Sequence, residues 1–264
     1  MNTPDPNSPT CDAVIVGGGP AGSTAAAFLA KAGHRVLVLE RESFPRFHVG
    51  ESLLPYNRRI FAEMGILEEV ERRGFMVKQG AQFWLGNGRK NIQLLFREGT
   101  YNEEITSFQV ERSEFDTLLL ENAAKQGAEV RQLTKVVSYQ VLADRVEVGV
   151  ESEAAGRETV NGKFLIDATG QANFTGNSEK LREGCEGHRK IAIFGHFHGV
   201  AWPKEGERCG DVVVARLEDG WFWLIPLTLE KLSVGLVCDV ERFKAGGLRP
   251  LEFFQKTVAE HAYV

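Results

Sequence analysis

The patterned part of the chain begins with an unbroken apolar run, CDAVIVG at residues 11–17. A short apolar run closed by glycine predicts a buried strand. An alanine-rich stretch follows at 20–33, PAGSTAAAFLAKAG, and predicts a helix stopped by Gly33. A second apolar run at 34–40, HRVLVLE, predicts another buried strand and completes a β-α-β unit. Residues 51–73 read as mostly helical, with Glu51 and Ser52 suited to a first turn. Over 75–98 the pattern turns to strands. At 113–127, SEFDTLLLENAAKQG predicts a helix with Ser113 as N-cap and Gly127 as stop. Residues 128–150 and 159–167 alternate like a small meander that leads into FLIDATG.

From residue 189 the pattern changes. KIAIFGHFHGV, DVVVARLEDG, WFWLIPL and KLSVGLVCDV are strand-like runs separated by turn signals, which predicts an antiparallel sheet in a second domain. In DGWFWLIPL, at 219–227, strand alternation puts Trp221, Trp223 and Ile225 on one face and Phe222, Leu224 and Pro226 on the other. Both sets are apolar, so periodicity alone predicts a strand buried on both sides. The last residues, RPLEFFQKTVAEHAYV, read as a helix. The fold class is α/β: a Rossmann-like first domain over 11–188, discontinuous and with inserted strands around 75–108, then a sheet domain from 189 to 264.

Composition narrows the function. With 43% hydrophobic and 25% charged residues the chain has an ordinary globular balance. A formal net charge of −5 without long one-sign runs points away from nucleic acid and from membrane surfaces as partners. Residues 1–10, polar and proline-bearing, read as a disordered tail without a signal pattern, and the expected location is the cytoplasm. Cys11, Cys185, Cys209 and Cys238 show no CxxC spacing, so reduced thiols are expected rather than disulfides or a metal site. His196 and His198 share a strand face, but no third ligand stands at a metal-binding spacing.

The most informative motif is GGGPAG, in which Gly17, Gly19 and Gly22 have G-x-G-x-x-G spacing around Pro20 and Ala21. Gly17 permits a tight turn, Gly19 lets a pyrophosphate approach the backbone, and Gly22 lets helix and strand pack closely. The helix N-terminus then turns free N–H groups and its positive dipole end toward phosphate. Glu40 ends the next strand, where a carboxylate accepts hydrogen bonds from a ribose and repels a 2′-phosphate. NADP is therefore disfavoured, while NAD and FAD both stay open on these residues.

CDAVIVGGGPAG together with VLVLERESFPRFHVGESLLP resembles the FAD-dependent monooxygenase superfamily, in its halogenase branch. VERSEFDTLLLENAAKQGAEV resembles the superfamily segment that places an arginine, here Arg112, by the flavin side of the cofactor. LIDATG resembles its aspartate-glycine strand end, which implicates Asp167 and Gly170 near the FAD. The loop with Arg41, Arg46, His48, Gly50, Glu51 and Ser52 passes near FAD in that family, and Val136 is implicated in the same way. WFWLIP matches the W-x-W-x-I-P signature of flavin-dependent halogenases, and VKQGAQFWLG resembles the segment with their catalytic lysine, here Lys78. The form GESLLP is closer to halogenases of phenol or pyrrole groups than to those of free tryptophan.

The resemblance implies a fold and a chemistry. The fold is a three-layer FAD-binding domain joined to an antiparallel-sheet substrate domain. The implied enzyme uses FADH2 from a separate flavin reductase, O2 and chloride or bromide, acting on an electron-rich aromatic or pyrrole substrate in secondary metabolism. The substrate is either free or tethered to a carrier protein. The indoles of Trp221 and Trp223, with Ile225 and Pro226, would keep it away from the flavin, and hypohalous acid would pass to Lys78. An amine can hold hypohalous acid or form a haloamine, which guanidinium or carboxylate does less readily. Family members continue with a glycine-aspartate motif and a halide loop that this sequence lacks, so the chain is expected to be a fragment or a truncated protein. The other readings are an FAD-dependent hydroxylase or prenyl-chain reductase on the same fold, and a non-catalytic flavoprotein-like domain.

Overall fold

The structure is a computed structural model that describes residues 10–100, 103–185, 187 and 189–261. In chain order the first elements are β1 (Cys11–Val16), α1 (Pro20–Lys31), β2 (Val36–Leu39), α2 (Tyr56–Met64) and α3 (Leu67–Arg72). Next come β3 (Met76–Lys78), β4 (Gly80–Leu85), β5 (Lys90–Leu95), β6 (Ser107–Gln109) and α4 (Arg112–Lys125). Then follow β7 (Glu129–Arg131), β8 (Thr134–Val141), β9 (Val146–Ser152), β10 (Gly156–Asp167) and α5 (Phe174–Ser178). The last are β11 (Lys190–His198), β12 (Val212–Arg216), β13 (Gly220–Pro226), β14 (Lys231–Asp239), α6 (Val240–Ala245) and α7 (Pro250–Glu260). They form two compact units: the chain up to Val49 with Arg112–Arg182, and Gly50–Glu111 with residues from Glu183 onward.

The first unit has one six-stranded sheet, ordered β7-β2-β1-β10-β9-β8. β1 pairs in parallel with β2 and with the second half of β10, while the first half of β10 runs antiparallel to β9. This one long strand therefore serves both the nucleotide-binding sheet and the meander. β1 and β2 are almost wholly apolar because a parallel sheet is covered on both faces. α1 buries only small residues, Gly22, Ser23, Ala26 and Ala27, which lets it lie close to its neighbours. α4 begins at Arg112, so Ser113 is inside the helix and not its N-cap. Arg112 bonds Asp116 one turn on, and that i, i+4 pair requires it to be helical. Gly127 ends this helix as expected, in a left-handed conformation (φ +106°) that its missing side chain permits.

The second unit has a sheet ordered β11-β14-β13-β12-β4-β5 and a small ladder of β3 with β6. Every neighbour pair in the large sheet is antiparallel except β4 with β12. Of the strands expected around 75–108 as an insertion in the first domain, β4 and β5 extend the large sheet of the second unit, and β3 pairs with β6 in the small ladder. The two compact units meet in the chain at 49/50, 111/112 and 182/183. One face of the sheet is its core: Val213, Ala215, Phe222, Leu224, Leu232, Leu236 and Cys238 pack with Phe253 and Phe254 of α7. Phe254 meets Phe222 edge-on at 5.9 Å and stacks on Phe197 at 5.6 Å. Among the described residues no helix is long and apolar enough to cross a membrane.

Residues 51–54 are extended rather than helical, and α2 starts only after Pro55. Proline disfavours helical geometry in the residue before it. The backbone finds partners in β6 instead: Leu53 N–H donates to Phe108 O (3.0 Å), Val110 N–H to Glu51 O (2.7 Å), and Ser52 bridges Gln109. Glu51 and Ser52 are therefore not first-turn residues.

Candidate functional site

In the first unit the glycine motif is a closed turn. Gly17 has φ +103°, and a Cβ on it would lie 2.6 Å from Ala168 O. A Cβ on Gly22 would lie 1.9 Å from Gly17 O, so the turn can close only if residue 22 is glycine. Gly19 differs: its backbone is extended, and a Cβ there would approach only the Arg46 guanidinium, at 3.4 Å. No side chain caps α1, and Pro20 has no N–H to satisfy. The first turn thus offers backbone donors and the positive end of a helix dipole above an uncluttered glycine, the arrangement a pyrophosphate needs.

Charged side chains brace this turn. Glu40 is 5% exposed; its Oε2 accepts Gly18 N–H at 2.7 Å and its Oε1 accepts Glu42 N–H at 2.9 Å. The carboxylate assigned to a ribose from sequence already takes two backbone donors, which leaves the second acceptor position on each oxygen. Asp116, fully buried, takes Arg112 in a bidentate pair (2.6 and 2.8 Å) and Arg46 Nη1 at 3.3 Å. Arg112 also donates to Val49 O at 2.5 Å, and Arg46 pairs with Glu42 and lies over the Phe44 ring. Asp116 went unnoticed in the sequence, although its i, i+4 spacing from Arg112 was the available signal.

Asp167 accepts from the N–H and hydroxyl groups of both Thr169 and Thr175. Burial pushes its carboxyl up, but these bonds outweigh it and hold the group below the usual carboxylate range. Gly170 follows with φ +58°. Val136 is buried at a bulge in β8, Arg41 is exposed, and exposed His48 hydrogen-bonds the backbone of Val49. Gly50 sits in the second unit with φ +103°.

The second unit holds the sequence-predicted lysine. Lys78, 3% exposed, ends β3, and its Nζ donates to Ser52 Oγ (2.9 Å) and to Leu53 O (3.1 Å). Phe96 presents its ring 5.3 Å from Nζ. Burial pulls the amine down to about 8, against the attraction of Asp211, which acts in the opposite sense. Asp211 is fully buried, bonded by Gln93 Nε2 at 3.0 Å, and burial pushes its carboxyl up. Nothing in the local sequence marks Ser52, Leu53 or Asp211 as neighbours of Lys78, since all lie far from it along the chain.

His196 Nε2 is 2.6 Å from Glu51 Oε1, and Glu51 is 1% exposed with Oε2 unpartnered among the described residues. His198, two residues on, is exposed. On β13, Phe222 and Leu224 face the core at 0% and 3% exposure, while Trp221 is 36% exposed and Trp223 partly so. The strand is therefore not equally buried on its two sides; the tryptophan face is the open one, although Ile225 and Pro226 at its end are buried. Trp223 donates its indole N–H to Ser233 (3.2 Å), lies 5.9 Å from the Phe194 ring, and covers Gly235, where a Cβ would meet the indole at 2.1 Å. Beside Trp221 runs a groove of about 630 Å³ lined by Phe83, Leu85, Val214 and Arg216.

A phosphate-ready glycine turn on a parallel sheet defines a dinucleotide-binding class of protein. The chain belongs to the FAD binding domain family, matched over residues 10–260. It is 36% identical over 234 residues to the tryptophan 2-halogenase of Chondromyces crocatus, an alignment that spans 88% of this chain and 44% of that protein. It is 32% identical to the 1H-pyrrole-2-carbonyl peptidyl-carrier-protein chlorinase of Pseudomonas fluorescens, covering 94% of this chain and 60% of the relative. Among solved structures it resembles CmlS, a flavin-dependent halogenase (34% identity, TM-score 0.88), with 96% of this chain and 46% of that chain covered. It also resembles the myxobacterial chondrochloren halogenase CndH (30% identity, TM-score 0.82), with 96% and 58% covered. The chain spans about half the length of the curated relatives it matches.

Proposed function

We propose that the protein is an FAD-dependent halogenase in which the first unit holds the cofactor and Lys78 of the second unit delivers the halogen. The observation that carries this reading is the state of Lys78. Two N–H groups donated to neutral oxygens, and a pKa near 8, leave a neutral amine lone pair readily available. A surface lysine has neither property.

The residues of the first unit fit FAD. Gly17, Gly19, Pro20, Ala21 and Gly22 would hold the pyrophosphate, Glu40 the adenosine ribose through its remaining acceptor positions, and Arg46 and Arg112 would supply positive charge. Asp167 and Gly170 would shape the strand end beside the cofactor, with Val136 and Arg41 at its margin. Gly50, Glu51 and Ser52, which begin the second unit, are the further cofactor contacts that the family resemblance implies. When bound, the reduced flavin supplies, with O2, the oxidising equivalents that turn halide into hypohalous acid.

The chain's own step follows. The Lys78 lone pair attacks the halogen of hypohalous acid; the N–X bond forms as the O–X bond breaks, and the departing hydroxide takes an amine proton and leaves as water. The N-haloamine then passes X⁺ to a ring carbon, the ring loses a proton, and protonation of the nitrogen restores the amine. Trp221 and Trp223, with Ile225 and Pro226, would wall the organic substrate off from the oxidant. Relatives named for carrier-bound pyrrole support an aromatic or pyrrole substrate tethered to a carrier protein. A separate flavin reductase would supply FADH2, in the cytoplasm and in secondary metabolism.

Lys78→Ala in the full-length protein separates the two chemistries. Flavin reoxidation followed by absorbance should stay at the wild-type rate, while halogenated product followed by mass spectrometry, with chloride and with bromide, should fall by about 100-fold or more. Near-normal product yield from this variant overturns the reading, and product formed without halide points to a hydroxylase instead.

A further inference from the structure

We infer that the His196–Glu51 pair is a positioning element for Lys78, holding the segment that carries the lysine's two oxygen partners against the sheet that carries the tryptophans; this rests on Lys78 being the halogen-carrying amine. Glu51, Ser52 and Leu53 are consecutive, and their backbone is fixed to β6 at both Glu51 O and Leu53 N. Ser52 Oγ and Leu53 O are the atoms that hold Lys78 Nζ. The Glu51 side chain leaves this segment in another direction and meets His196 at 2.6 Å. His196 is in β11, directly opposite Ser233 of β14, and Ser233 accepts the Trp223 indole N–H at 3.2 Å. A polar file thus runs from Trp223 through Ser233, His196 and Glu51 to the segment that grips Lys78.

The energetics argue for a directional purpose. A carboxyl group at 1% exposure with one oxygen unpartnered among the described residues is costly, and well-packed apolar residues would serve stability at least as well. What an apolar pair cannot provide is one fixed orientation between two segments that lie 145 residues apart in sequence. The segment needs such a fixture, because Lys78 takes no oxygen from its own strand in its two side-chain hydrogen bonds.

The test uses the full-length protein with His196→Ala and His196→Gln. Glutamine can still donate an N–H to Glu51; alanine cannot. Trace acetylation with acetic anhydride, read by peptide mass spectrometry, reports Lys78 nucleophilicity against the other lysines and needs no halogenase activity. Loss of one ordering hydrogen bond predicts a change of about fivefold or more in Lys78 labelling for His196→Ala, with His196→Gln returning close to wild type. Halogenated product per flavin oxidised should follow the same order.

Wild-type labelling in folded His196→Ala overturns the inference whatever the activity. Altered labelling together with undiminished product from Lys78→Ala overturns the halogen-carrying reading on which it rests. If His196→Ala does not fold, His196→Asn, polar but too short to reach Oε1, replaces it. Failure of both to fold makes the pair a general support of the sheet and likewise overturns the inference.

Discussion

Asp116 in the first unit and Lys78 in the second are almost equally buried, at 0% and 3% exposure, yet their surroundings differ in kind. Asp116 is met by two guanidinium groups, one of them bidentate. Lys78 is met by a hydroxyl and a carbonyl, both uncharged, and the nearby carboxyl of Asp211 is itself pushed up by burial. Guanidinium partners hold the Asp116 side chain in one place, whereas neutral partners leave buried Lys78 close to losing its proton. The first unit uses buried charge to brace a backbone turn, and the second holds a buried amine near its neutral form.

Four measurements sharpen or break this contrast. The largest effect belongs to the glycine turn. Gly22→Val places a carbon within 1.9 Å of Gly17 O, and the cost should exceed about 4 kcal/mol, seen as loss of the folded fraction in denaturant titration. Gly19→Val should leave that titration nearly unchanged and remove bound FAD absorbance, because the space it fills is open to the cofactor. If the two variants behave alike, shape and ligand approach are not separable in this turn.

The second measurement follows Lys78 through pH. Its folded value near 8 lies below the ordinary 10.5, so folding favours the neutral amine. The cost of burying the ammonium is fully present below pH ~8 and fades as pH rises toward 10.5, so stability from this group increases across that window. The gain should be about 3 kcal/mol in the wild type relative to Lys78→Met, compared by urea unfolding at both ends of the window. A parallel pH course for the two proteins would mean that Lys78 is not desolvated.

Next comes Glu40→Gln, which keeps one acceptor for Gly18 or Glu42 but removes the charge; about 1.5–3 kcal/mol should be lost at neutral pH by the same assay. A change near zero would show that the turn holds without a carboxylate. The smallest effect is expected for Arg97→Ala, which breaks an exposed, solvent-screened pair with Glu207 and should leave the unfolding midpoint indistinguishable from that of the wild type.

The legible parts of the molecule were those in which function follows from neighbours in sequence. Gly17, Gly19 and Gly22 specify a turn within six residues, and the apolar runs around them specify its strands. Residues 221–226 showed which side chains share a face, though not which face stays open; that depended on α7, which covers the Phe222 side. The unit boundaries were hidden because β4 joins β12 in parallel, across more than a hundred residues, and no local pattern encodes that register. Glu51 and Ser52 suggested a helix start by residue type, but Pro55 and the free edge of β6 drew them into a ladder. The partners of Lys78 and of Glu51 were invisible for the same reason: they come from separate elements, and only the assembled sheet brings them together.

The indole of Trp223 rests on Gly235, with its N–H anchored at Ser233 two residues earlier on the same strand. These two positions form a single depth control for the open side of the sheet. A smaller residue at 223 would dig a trench whose floor is bare main chain, already engaged in its ladder and so indifferent to what enters. Even one methyl at 235 would lift the indole outward and make the surface shallower without changing any lining side chain. The depth of this face therefore has two levers of opposite sign, at positions 223 and 235.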